Sequence, residues 1–179
     1  QHTVDRIDLI DNQTLYIAGG AVVKGGVKAQ GANIRIAGRG IIDGLDWESP
    51  KGPTDNLIRL TNCTNAKIEG VILKDSWVWT FPMFGCRGVH IDNVKICSAR
   101  CEYNDGIGVV NSQQVKIENC FIRTDDDCIT SKGFGWPDRD RERDGMAVED
   151  VTVSHCTLWT DRAHIWRLGG ECWAPAMRR

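Results

Sequence analysis

No stretch of this sequence approaches the roughly 20 consecutive apolar residues that span a bilayer, so no membrane partner is expected. Neither sign of charge is in excess. The 22 Lys and Arg residues face 24 Asp and Glu, a formal charge of −2, which gives no sign of a nucleic-acid partner. The opening run Gln1-His2-Thr3-Val4-Asp5 lacks the basic region and apolar stretch of a signal peptide. There are eight cysteines but no Cys-x-x-Cys pair. Cys97 and Cys101 stand four apart, with no second pair or close histidine to complete a zinc knuckle. Cys120 and Cys156 instead recur at matching places, in Glu118-Asn119-Cys120 and Ser154-His155-Cys156. That pattern predicts stacked, reduced, buried thiols rather than bridges. No metal or other cofactor is expected.

What is present is a chain of 179 residues, 41% apolar and 26% charged, long enough to bury a core as one soluble domain spanning 1–179. Its sequence repeats. The segments Asn65 to Ile72, Gly88 to Ile96, Gln114 to Ile122 and Asp150 to Leu158 align on the anchors Ile68, Ile91, Ile117 and Val153. A polar insertion at 133–145, with the alternating charges Asp138 to Asp144, lengthens the last interval. Periods in the twenties mark a solenoid. Each unit alternates β-branched and charged residues, as in Val115-Lys116-Ile117, and is bounded by Asn, Gly, Ser and Asp. One such coil cannot bury its apolar face; coils stacked about 4.8 Å apart can. The N-terminal part reads similarly, through Thr14 to Ile17, Val22 to Lys24, Ile34 to Ile36 and Ile41 to Asp43. Leu45 to Asp55 is expected to leave the solenoid as a loop. Asn93 and Asn119 are expected to form an amide ladder inside a bend, interrupted by His155. A β-sandwich also has many short strands, but it does not predict recurring columns.

Two acidic signatures, Tyr103-Asn104-Asp105-Gly106 and Asp125-Asp126-Asp127-Cys128, lie about one coil apart. Stacking would bring Asp105 beside Asp126 and Asp127. On a regular strand the last two would point to opposite faces, so the chain must bend or bulge between them. Crowded carboxylates push one member to keep its proton near neutral pH. A proton donor beside ionised partners is what glycosidic hydrolysis needs. Aspartates at bends also serve as plain turn residues or hold a structural Ca²⁺. The clustering, with His164 further along, favours chemistry.

These runs resemble glycoside hydrolase family 28, the polygalacturonase family of the pectin-lyase-like superfamily, whose members carry Asn-Thr-Asp-Gly, Asp-Asp-Cys, Gly-His-Gly and Arg-Ile-Lys. Asp105 matches the first motif, Asp126 and Asp127 the second, and Ala163-His164-Ile165 the third. Ile41-Ile42-Asp43-Gly44 and Asp75 to Trp79 match upstream landmarks, so the likeness runs from about Thr14 to Glu171. The resemblance implies an all-β fold, a right-handed, single-stranded parallel β-helix. It also implies an inverting hydrolase of pectin-like chains acting as an extracellular or periplasmic monomer. Asp126 would be the general acid, Asp105 and Asp127 would activate water, and His164 would support them. Inversion calls for about 6.5–9.5 Å between acid and base.

The sequence departs from that pattern at several points. Tyr103, Asn104 and Gly108 replace the usual Asn, Thr and Asp. His164 lacks its flanking glycines, and no Arg-Ile-Lys follows before Arg179. A last coil left as an open edge predicts a chain lacking C-terminal coils. Lys132 is a candidate for an anionic substrate or a solvated lysine. Arg162 and Arg167 are candidates for the absent basic pair. Trp136 is a candidate cleft wall in the 133–145 loop, with Trp77, Trp79, Trp159, Trp166 and Trp173 as further stacking surfaces. Three other readings share the fold: a dextranase-type hydrolase of neutral glucans, a Ca²⁺-dependent polysaccharide lyase, and a non-catalytic carbohydrate-binding or adhesion module.

Overall fold

A β-branched or leucine side chain on every second residue, over three to eight residues, is the unit from which this chain is built. The computed structural model describes residues 1–45, 56–133, 147–170 and 172, and the backbone of 177–178. Among them there is no helix, and every strand pairing is parallel. The strands wind as coils with three faces. The first face stacks β2 (Thr14–Ile17), β4 (Arg35–Gly38), β7 (Lys67–Glu69), β10 (Arg87–Asp92), β13 (Gln113–Glu118), β16 (Val148–Ser154) and β19 (Met177–Arg178). The second stacks β5 (Ile41–Asp43), β8 (Ile72–Lys74), β11 (Lys95–Ser98), β14 (Phe121–Thr124) and β17 (Thr157–Thr160). The third stacks β6 (Ile58–Thr61), β9 (Phe81–Phe84), β12 (Ile107–Val110), β15 (Ile129–Lys132) and β18 (Trp166–Leu168). The long β3 (Val22–Ala29) starts both the second and third faces, and β1 (His2–Leu9) pairs along it. This is a parallel β-helix.

The repeat alignment is the stacking register. Ile68, Ile91, Ile117 and Val153 are direct cross-strand partners. Ile36 continues that column toward the N-terminus. Ile36, Ile68, Ile91 and Ile117 are fully buried. A second inward column runs Ile42, Leu73, Ile96 and Ile122. Each side chain removed from water in this way contributes about 1.5–3 kcal/mol.

Bends between faces also stack by conformation. The entry to the first face is left-handed at Asn12, Asn33, Asn65, Gly88, Gln114 and Asp150. The corner after that face is left-handed at Gly70, Asn93, Asn119 and His155. This corrects the expected amide ladder inside a bend. Asn93 and Asn119 are exposed, and their side chains bond outward, Asn119 Nδ2 donating to Asp92 at 2.8 Å and Asn93 Oδ1 accepting from Lys95. Asparagine stands there because it tolerates positive φ, and His155 takes the same left-handed conformation.

The eight cysteines are free thiols, with Cys63, Cys86, Cys120 and Cys128 buried and Cys97 exposed. No helix among the described residues is long and apolar enough to cross a membrane. Of the loop expected at Leu45 to Asp55 only Leu45, and of the 133–145 insertion only Gly133, lie within the described residues.

Candidate active site

The corner between the second and third faces carries the acids. In register, Ile107 pairs with Ile129, and Ile129 with Trp166. Asp105, Asp127 and His164 each stand two residues before those partners, so they stack in one column on three successive coils. Backbone bonds carry the register through the corner. Gly106 N–H donates to the Asp127 carbonyl at 2.9 Å, and Cys128 N–H to the His164 carbonyl at 2.9 Å.

Asp126 reaches the same cleft because the chain bends after β14. The buried Asn104 side chain on the preceding coil accepts from the N–H groups of Asp125, at 3.1 Å, and Asp126, at 3.4 Å. Thr124 Oγ1 donates to the Asp126 carbonyl at 2.6 Å, and the Asp126 carboxylate accepts from Asp127 N–H at 2.9 Å. The expected break in strand geometry is therefore built from side-chain-to-backbone bonds, which compete with a regular strand.

The three carboxylates offer oxygen atoms that all lie within 4.8 Å of one another. Asp105 and Asp127 are buried to 2% and 1% exposure, while Asp126 is half-buried. All three line a cleft of about 290 Å³ with Trp79, Tyr103, Lys132, Arg167 and Gly170. Burial, the Asp126 charge and a hydrogen bond with Asp126 raise Asp105 from the ordinary 3.8 to about 8, against the opposing pull of Lys132. The cluster thus keeps one proton at neutral pH, held between Asp105 and Asp126. Asp127 is held differently. His164 donates to its Oδ1 from both the backbone N–H and Nδ1, each at 2.9 Å, and Arg167 stands 3.6 Å from Oδ2.

The carboxylate spacing departs from expectation. Separations of about 6.5–9.5 Å between acid and base are expected, whereas oxygens of all three approach within 4.8 Å, because Asp105 and Asp127 stack on neighbouring coils and the bend after β14 turns Asp126 toward them. Such a trio has the spacing of a cation site. Two fixed cations, Lys132 and Arg167, already face it, and a proton resides on it. Those positive groups offset the carboxylate charge that would attract a divalent ion.

Lys132 is neither a solvated lysine nor an open surface contact. It is 5% exposed, its Nζ lies 3.8 Å from Asp105 and 4.5 Å from the Trp79 ring centroid. Arg167 joins the cleft, whereas Arg162 is exposed and pairs with Glu102 at 3.5 Å. Trp136 lies outside the described residues, as does Trp173. Two residues of the site had no such role in the sequence reading: Tyr103 as a cleft wall and Asn104 as the clamp on the bend. Trp79, a candidate stacking surface, lines the cleft. It stands two residues before Phe81, as Asp105 stands two before Ile107, and those strands pair.

Comparison with known proteins bears on the family and the fold. The sequence pattern of "Glycosyl hydrolases family 28" matches residues 11–134, which include all three aspartates and stop short of His164. A "Probable polygalacturonase" of Arabidopsis thaliana is 33% identical over 163 residues, 78% of this chain and 36% of the relative. A "Polygalacturonase" of Gossypium barbadense is 32% identical over 156 residues, 70% of this chain and 38% of its own length. The chain thus spans little more than a third of these relatives. Among solved structures, a polygalacturonase from Erwinia carotovora superposes with a TM-score of 0.73 at 15% identity, covering 93% of this chain and 57% of that one. An exopolygalacturonase from Thermotoga maritima superposes with 0.67 at 19% identity, covering 92% and 55%. These two likenesses speak for the fold alone. With its acid motifs inside the matched segment and its coils stacked as a parallel β-helix, the chain belongs to glycoside hydrolase family 28.

Proposed function

We propose that this chain carries the catalytic cluster of a hydrolase that cleaves α-glycosidic bonds in pectin-like chains, polygalacturonan or rhamnogalacturonan, with inversion. The observation that carries the reading is the meeting of three aspartates from neighbouring coils around one retained proton. The one retained proton passes from Asp105 along its hydrogen bond to Asp126, the half-buried member, which delivers it to the leaving oxygen. Asp105, freed of its proton, and Asp127 hold the attacking water and take its proton, so the cluster ends with one proton, as it began. His164 and Arg167 orient Asp127.

By spacing alone, carboxylates this close suit a retaining mechanism, in which one attacks the sugar directly. Asp127 is poorly placed for that role: it is 1% exposed, and His164 and Arg167 engage both of its oxygens. A pinned carboxylate holds water better than it attacks carbon. The cations Lys132 and Arg167 in the cleft favour a uronate over a neutral sugar, and the named relatives are polygalacturonases. The chain acts as a single solenoid domain, 1–179, carrying a polar insertion at 133–145. It works as a monomer outside the cytoplasm, where such polymers occur.

The test is reducing-end release from polygalacturonate, rhamnogalacturonan and dextran in parallel, with NMR identifying the first-formed anomer. Release from a pectic chain, lost in Asp126→Asn, supports the reading. Release from dextran alone, or no release from any glycan, refutes it, and a retained anomer refutes inversion. Products absorbing in the ultraviolet would mark a lyase.

A further inference from the structure

The two walls of the aspartate cleft differ in charge. Neighbouring coils run parallel here, so residues before the acids line one wall and residues after them the other. Lys132 follows Asp127 in the chain, and Arg167 follows His164. That wall therefore carries two cations, Lys132 Nζ at 3.8 Å from Asp105 and Arg167 at 3.6 Å from Asp127.

The opposite wall is built from residues that precede the acids. Tyr103 comes before Asp105, Asp125 before Asp127 and Arg162 before His164, with Glu102 next to Tyr103. Arg162 is taken up by Glu102 at 3.5 Å. On this side Glu102, Asp125 and Asp126 stand against that one paired cation.

Tyr103 is 59% exposed and lines the cleft. The residue after it, Asn104, is buried and holds the N–H groups of Asp125 and Asp126, which fixes the backbone that presents the ring. A hydrogen bond to Glu102, reinforced by the Glu102 charge, keeps the phenol above its ordinary pKa, so the ring is uncharged at neutral pH. An uncharged, exposed ring offers an apolar face to the C–H side of a sugar. Acidic neighbours repel a carboxylate brought to the same place. The family pattern has asparagine at this position, so the ring is a departure of this chain.

We propose that Tyr103 is a specificity-determining residue that seats an uncharged sugar unit on one side of the scissile bond, while Lys132 and Arg167 take the carboxylate of a uronate on the other. The inference rests on the uronate reading above and narrows it to pectic chains in which a uronate adjoins a unit without a free carboxylate. Two sources share that chemistry: the neutral sugar that alternates with uronate in rhamnogalacturonan, and methyl-esterified galacturonate in pectin.

The test compares kcat/KM on rhamnogalacturonan, methyl-esterified pectin and fully de-esterified polygalacturonate. Wild type should favour one or both of the first two over the last on the order of tenfold, and the favoured polymer names the source. That preference should narrow at high salt, where repulsion is screened. Tyr103→Ala should lower kcat/KM on the favoured polymer on the order of tenfold, and Tyr103→Phe, which keeps the ring face, should retain it. Glu102→Gln, which removes an exposed acid and releases Arg162, should raise kcat/KM on de-esterified polygalacturonate. A wild type that prefers de-esterified polygalacturonate, or an equal loss on all three polymers in Tyr103→Ala, overturns the role of Tyr103 and leaves the hydrolase reading intact. No release from any of the three overturns both.

Discussion

The proton held by Asp105 makes a prediction about stability that needs no substrate. Near pH 4 and below, folded and unfolded chains both carry it. Between there and about pH 8 the unfolded chain releases it and the folded one does not. The unfolded state then binds fewer protons, so stability falls as pH rises through this window. Four pH units at about 1.4 kcal/mol each give a loss on the order of 5 kcal/mol. Asp105→Asn keeps the shape of the protonated carboxyl and has nothing to titrate. The variant should match the wild type near pH 4 and exceed it by several kcal/mol near pH 8. Urea unfolding followed by tryptophan fluorescence at the two pH values measures this, and the difference between the two proteins cancels the titrating groups that lie away from Asp105. A difference that does not change with pH would refute the argument that burial and Asp126 hold a proton on Asp105.

Other outcomes follow from the same geometry. Asp126→Asn should abolish reducing-end release while circular dichroism stays near wild type, since the half-buried side chain contributes little packing. Lys132→Met removes a cation 3.8 Å from Asp105. At an effective dielectric near 20 this is worth roughly 2–4 kcal/mol. The alkaline limb of the pH–rate profile should therefore move upward. Asn104→Ala leaves the N–H groups of Asp125 and Asp126 without their acceptor. It should cost about 1–3 kcal/mol in denaturant unfolding and lower kcat more than it changes KM. Chelator or added Ca²⁺ should leave the rate unchanged; a rate that falls with chelator and returns with Ca²⁺ would make the trio a metal site.

Much of the fold was legible because stacking forces sequence into columns. Ile68, Ile91, Ile117 and Val153 align by eye and pair in space, since each must present an apolar side chain at the same point of its coil. Asp105, Asp126 and Asp127 were legible for the same reason: a one-coil separation becomes contact once the register is known. Asn93 and Asn119 show where this reasoning fails. Their recurrence was real, but its cause was a left-handed backbone, and a repeated asparagine alone does not say whether its amide turns inward or outward.

The amino-acid order determined the period, the inward columns and the meeting of the acids, because alternation and coil length are local properties. Whether Lys132 is solvated or buried beside Asp105 and how closely the carboxylates approach were decided only by the tertiary structure. Each depends on side chains from three or more coils sharing one surface, and the electric field and free volume there are sums over neighbours that no single repeat contains.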